Sequence, residues 1–97
     1  MIVVSVLYPK GHDFDMDYYR DKHLPLVRRL LAPMGMVSLH YYRPDGDAAY
    51  QLVAELRFET RAITEAALAA HGPETQADIG NFTDAPPLIL IGEEVEA

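Results

Sequence analysis

The chain has 97 residues, of which 49% are hydrophobic and 24% charged, with 15 acidic against 8 basic side chains. A net charge of −7 argues against a nucleic-acid binder, which needs a basic face to displace counterions, and against docking on anionic membranes. Without cysteine there is no disulfide, thiolate metal site or Cys nucleophile, and the apolar runs fall well short of the roughly 20 residues a bilayer span requires. No basic segment precedes the first apolar run, so it does not read as a signal peptide, and the sequence predicts one soluble, cytoplasmic domain.

Residues 2–8 (IVVSVLY) are rich in β-branched side chains and stop at a Pro/Gly/Asp loop, as a buried strand does. A helix then starts at Asp15, a good N-cap, with Asp17 in the first turn and Phe14 placed to staple onto Tyr19. Pro33 and Gly35 end it near residues 31–32. Residues 37–43 (VSLHYYR) form a second strand, residues 44–47 (PDGD) a turn, and residues 50–58 a third strand. In this third strand Tyr50, Leu52, Ala54, Leu56 and Phe58 face one way while Gln51, Glu55 and Arg57 face the other, so the two strands read as a hairpin. Thr60 caps a second helix that Gly72 is expected to terminate, Pro73 opening a short further helix to about Ile79. Residues 88–91 (LILI) are expected as a last buried strand, and the acidic tail from Glu93 to trail into solvent.

The order β-α-β-β-α-β is the ferredoxin-like arrangement, an α+β fold with a four-stranded antiparallel sheet and helices on one face. The other face has no cover from this chain and carries apolar residues from the first and last strands. A homodimer formed through that open face resolves this, the sheets either closing into a shared dimeric α+β barrel or meeting by an edge.

Steps of about 100° along the first helix put Met16, Tyr19, His23, Val27, Leu30 and Leu31 on one stripe. Asp17, Asp21, Lys22, Arg28 and Arg29 take the opposite side. Two residues after His23, Pro25 removes a backbone donor and crowds the carbonyl of Asp21, which costs a helix about 3 kcal/mol and predicts a kink beside the histidine. His23 therefore reads either as a core histidine satisfied by its neighbours or as an acid/base in a pocket between helix and sheet.

At these residues the chain resembles a known family. The opening SVLYP, the run Phe14-Asp15-Met16-Asp17-Tyr18-Tyr19 followed by Lys22-His23-Leu24-Pro25-Leu26-Val27, and residues 78–84 (DIGNFTD) together resemble the EthD family, named from a protein needed in ethyl tert-butyl ether degradation. The resemblance spans almost the whole chain and implies a dimeric α+β barrel. Relatives on that fold include cofactor-independent monooxygenases, polyketide cyclases, muconolactone-type isomerases and haem peroxidases. By motif match His23 carries over as the family histidine, with Tyr18, Tyr19 and Pro25 around it; Asp78, Asn81, Phe82 and Thr83 carry over from the loop before the last strand. The Met-rich segment at residues 33–36 (PMGM) departs from the longer segment of some relatives.

Other constellations are weaker. Asp13, Asp15 and Asp17 have the spacing of a calcium loop, but Tyr18 replaces its glycine and Leu24 its closing Glu, so no metal site is expected. His12 and His71 read as solvated, His71 near a helix C-terminus. His40 shares a strand face with Ser38 and Tyr42, which joins His23 in one pocket or meets a dimer partner, depending on which way that face points. No Gly-x-Gly-x-x-Gly or phosphate loop occurs, haem needs a larger cavity than so short a chain offers, and no cofactor is expected.

The resulting assignment makes His23 a catalytic acid/base, with Tyr19, His40, Tyr42, Asp78, Asn81 and Phe82 contacting a small hydrophobic organic molecule. The function it implies is oxidative degradation or another transformation of that molecule. The alternative is a non-catalytic ligand-binding protein that supports a separate oxygenase.

Overall fold

In a computed structural model that describes residues 1–97, β1 (Ile2–Pro9) lies at the centre of a sheet ordered β2-β3-β1-β4. The partners are β2 (Met36–Tyr42), β3 (Tyr50–Phe58) and β4 (Leu88–Glu93), and every neighbouring pair is antiparallel. A first helix over residues 16–31 and a second over Arg61–Asp78 pack on one face, which is the ferredoxin-like order the sequence predicts. No helix is long and apolar enough to cross a membrane.

Register decides which residues meet the helices. Ile2, Val4, Val6 and Tyr8 of β1 stand opposite Phe58, Leu56, Ala54 and Leu52 of β3, and most of these join one apolar core with Tyr19, Leu24, Val27 and Leu31 of the first helix. The other face is mixed. Leu7 and Val53 pair there, beside Leu88 opposite Leu7 and Leu90 opposite Ser5, while Arg57 sits between Glu55 (3.1 Å) and Glu94 (2.8 Å). The open face is thus apolar at one end and charged at the other, and its charged end holds Glu94 of the tail against Arg57.

β4 departs from expectation. It extends to Glu93, and all six of its residues are exposed in the single chain rather than buried. As an edge strand it pairs with β1 alone, and Ile89 and Ile91, which point to the helix side, remain 39% and 47% exposed.

Both helices begin where capping chemistry places them. The backbone N–H of Tyr18 donates to Asp15 Oδ1 (3.0 Å), and that of Ile63 to Thr60 Oγ1 (3.1 Å). The expected staple forms too, with the rings of Phe14 and Tyr19 5.3 Å apart. The proline-induced irregularity takes the form of a π-helical turn, Tyr19–His23, in which the N–H of Leu24 reaches the carbonyl of Tyr19 five residues back. Pro25 has no N–H to continue the regular ladder, and the wider turn accommodates its ring. The extra residue rotates the rest of the helix by about 100°, which turns Leu24 inward with Val27 and Leu31 and leaves Leu30 half-buried.

The second helix does not stop at Gly72. It continues through Pro73 to Asp78 and tightens into a 3-10 turn at Ile79–Asn81. Besides crowding the carbonyl four residues back, a proline clashes with the Cβ and backbone of the residue before it, and Gly72 has no Cβ; the Thr75 hydroxyl donates to the Gly72 carbonyl (2.9 Å). His71 is therefore inside a helix, paired with Glu74, not at a helix end.

After the first helix, Gly35 makes the turn into β2 with φ at +105°, and a Cβ there falls 2.6 Å from Ile63 Cγ2 of the second helix. Both backbone and packing therefore demand glycine. Gly35→Ala is expected to lower unfolding free energy by about 2 kcal/mol in urea titrations. Gly46→Ala, in the hairpin loop at φ +66° but facing open space, should lose only about 1 kcal/mol.

Candidate functional site

The site is assembled where the loop before β4 closes over the start of the first helix. The N–H of Asp15 donates to the Phe82 carbonyl (2.8 Å), and the hydroxyl of Thr83 donates to the Asp13 carbonyl (2.6 Å). These bonds set Phe82 into a cluster with Tyr8 (5.7 Å), Phe14 (5.1 Å) and Tyr19 (5.2 Å) between ring centres. Against this cluster lies His23, 5% exposed. Its ring stacks on Tyr19 (5.5 Å, 22° between planes) and tilts against Phe82 (4.6 Å).

The second helix supplies the polar partner. Because that helix continues past Pro73, its last residue, Asp78, reaches His23: Nδ1 lies 2.8 Å from Asp78 Oδ2. The other carboxylate oxygen accepts from the Tyr18 hydroxyl (2.8 Å) and the Asn81 amide (3.0 Å). Burial pushes the Asp78 carboxyl up, but hydrogen bonds from His23, Asn81 and Tyr18 outweigh it and hold its pKa below the usual value. Burial lowers the pKa of His23, and the Asp78 hydrogen bond only partly opposes that. The hydrogen bond to Asp78 raises the pKa of Tyr18, which keeps its proton and donates. A carboxylate only accepts, so the proton of neutral His23 sits on Nδ1 and Nε2 is left as a lone pair. No protein group hydrogen-bonds Nε2.

His23 lines a cavity of about 320 Å³ between helices and sheet. Its walls are mainly Val4, Val6, Leu39, Leu56, Leu68 and Ile79, and Ile89 and Ile91 of the exposed edge strand also line it. The arrangement is a base on an apolar chamber, with the base oriented by a carboxylate outside it.

Of the residues singled out from sequence, His23 and Tyr19 line the cavity, Asp78 and Asn81 stand behind the histidine, and Phe82 packs on its ring. His40 and Tyr42 do not join them. Leu39 is in the core and Tyr41 packs edge-on against Tyr19. Alternation therefore sends His40 and Tyr42 to the open face of the sheet, where His40 pairs in register with Glu55. The two histidines are on opposite faces of the sheet. Sequence reasoning missed the cavity side of the second helix, where Leu68, Gly72, Thr75, Gln76 and Ile79 follow one another at helical spacing. That stripe emerges only once the helix is carried through Pro73.

The chain is similar to the solved structure of an EthD-like protein from Ralstonia eutropha JMP134, with 31% identity over 95% of this chain and 89% of that chain and a TM-score of 0.82. An EthD family protein from Bacillus halodurans C-125 is similar over 98% of this chain and 99% of that chain, with 21% identity and a TM-score of 0.71. A putative antibiotic biosynthesis monooxygenase from Nitrosomonas europaea shares the fold at 14% identity, over 99% of this chain and 100% of that chain, with a TM-score of 0.65. No protein-family model matches the sequence, and no curated protein matches it.

The lowered pKa of His23 sets a pH dependence of stability. Above the ordinary value of 6.5 the histidine is neutral in both folded and unfolded chains. Below it the unfolded chain takes up a proton that the folded chain resists, so stability falls with pH until the folded-state pKa is passed. Asp78, also lowered, adds a loss in the same direction below 3.8. Melting curves from pH 7.5 to 5 should show the melting temperature declining below pH 6.5, and His23→Gln should flatten that decline.

Proposed function

The chain belongs to the EthD-like family, and from that premise we propose that it takes up a small, largely apolar organic molecule between its helices and sheet and moves a proton on it through His23. The observation that carries this reading is the Asp78–His23 pair, which leaves an unpartnered Nε2 on an apolar cavity. A histidine whose pKa is lowered by burial stays unprotonated at neutral pH, the state a general base requires. Asp78 stabilises the imidazolium formed when Nε2 takes a proton, and Tyr18 and Asn81 keep that carboxylate in place. Tyr19 and Phe82 fix the plane of the ring. Proton transfer of this kind serves an oxidative transformation, an isomerisation or a cyclisation, and His23 supplies the same step in each. The name of the Nitrosomonas neighbour favours the oxidative class, as does the EthD membership.

The test begins with a panel of small apolar organic molecules offered to the protein in native mass spectrometry, followed by turnover assays on those retained. His23→Gln is expected to lower turnover by about 10²- to 10⁴-fold while changing affinity only a few-fold. Asp78→Asn should lower turnover by about tenfold or more, because an amide no longer dictates which ring nitrogen holds the proton. Turnover that survives His23→Gln overturns the role given to His23, and molecules retained without any turnover by the wild type make the protein a carrier of its ligand for another enzyme.

We also propose a homodimer through the open sheet face. Leu88 and Leu90 are 44% and 52% exposed there, beside Leu7 and Val53, and water is a poor cover for such a patch. Sedimentation should give twice the 10.9 kDa of the chain, and Leu90→Lys should shift it to the monomer.

A further inference from the structure

Apart from His23, the polar side chains that line the cavity are those of Thr75 and Gln76 on the second helix and the hydroxyls of two tyrosines. Tyr8, at the end of β1, and Tyr19, on the π-helical turn, both line the cavity and are 2% and 1% exposed. Neither hydroxyl is hydrogen-bonded to any protein group, in contrast to Tyr18, whose hydroxyl is committed to Asp78. No side-chain nitrogen or oxygen is walled off without a partner. Each hydroxyl therefore keeps some accessible surface, and the cavity is a space that both residues line. The Thr75 hydroxyl is already bonded to the Gly72 carbonyl.

The rings that carry these hydroxyls are held firmly. Tyr8 packs edge-on against Phe14 (5.3 Å), Tyr19 (6.0 Å) and Phe82 (5.7 Å). Tyr19 is fixed between His23 and Tyr41 (5.4 Å). Burial raises the pKa of both phenols far above the ordinary value, so each keeps its proton and acts as a donor. The two tyrosines thus offer a pair of fixed donors, and His23 Nε2 offers an acceptor.

We propose that Tyr8 and Tyr19 donate to a single oxygen of the bound molecule, and that this molecule is an acid whose conjugate base carries its charge on oxygen, a phenol or an enolisable carbonyl compound. This rests on the reading of His23 as base. The O–H or α C–H bond of the ligand breaks, the proton forms an N–H bond at Nε2, and the electron pair stays with the ligand. The resulting negative oxygen is held by the two phenolic hydrogens, while Asp78 balances the imidazolium. Donors fixed in advance around a developing oxyanion cost no reorganisation when the charge forms.

The test uses the full chain and two probes of the same shape, naphthalene and 2-naphthol, in calorimetric titrations with wild type, Tyr8→Phe and Tyr19→Phe. Wild type should bind 2-naphthol about tenfold more tightly than naphthalene, and each Phe variant should lose about threefold or more of that preference while its naphthalene affinity holds. The unliganded Phe variants should melt at or above the wild-type temperature, because the deleted hydroxyls have no partner in the protein. A purely structural role instead lowers the melting temperature, and that result overturns the proposal. Equal affinity for the two probes, or a preference that survives both substitutions, also overturns it and leaves the apolar cavity standing as a binding site. If neither probe binds, the cavity reading falls together with the tyrosine pair.

Discussion

The hydrogen bond from His23 to Asp78 is the constraint around which the rest of the molecule is arranged. It joins positions 55 residues apart at 2.8 Å and ties the middle of the first helix to the end of the second. A carboxylate at a helix C-terminus faces the negative end of the macrodipole and is disfavoured there. Tyr18, Asn81 and His23 offset that cost, and together they are why Asp78 remains ionised although part-buried. Such a concentration of donors is more than helix packing alone requires. It fixes one tautomer of one imidazole.

The cavity beside this pair follows from departures from regular helix. Pro25 widens the first helix into a π turn that carries Tyr19 and His23 on one face and then rephases Leu24, Val27 and Leu31 onto the core. Pro73 leaves a gap in the hydrogen-bond ladder of the second helix, and Gly72 beside it borders the same space without a side chain. Each proline leaves a backbone bond unmade, and Gly72 adds no side-chain volume to the cavity wall. Regular helices with larger residues at these positions would fill the chamber that His23, Tyr8 and Tyr19 line.

Local chemistry makes much of this legible in the sequence. Asp15 and Thr60 cap as their side chains dictate, Phe14 meets Tyr19, and the proline next to His23 announces a distorted turn. What was not legible lies at longer range. Alternation groups His40 with Tyr42 but does not say which face they take; that is decided by Leu39, the one residue of β2 buried in the core. Gly72-Pro73 carries an ordinary stop signal, overridden because the missing Cβ tolerates the proline and tertiary contacts keep the helix running. The Asp78–His23 bond leaves no local pattern at all, and only the family resemblance placed the two residues in one functional set.

β4 brings the site and the proposed assembly into a single argument. Its residues alternate between the two faces of the sheet: Leu88 and Leu90 enter the open face, while Ile89 and Ile91 line the cavity on the helix side. All four are exposed in the single chain because nothing lies beyond this edge. Such a strand is a liability in an isolated domain, since it offers unpaired backbone and apolar side chains together. In the proposed dimer a second copy on the open face would cover Leu88 and Leu90, and by holding β4 in register with β1 it would also fix the cavity wall formed by Ile89 and Ile91. Shape of the chamber and association of the chains would then depend on the same four residues of one strand, and a change at this edge would act on ligand binding through assembly as well as through contact.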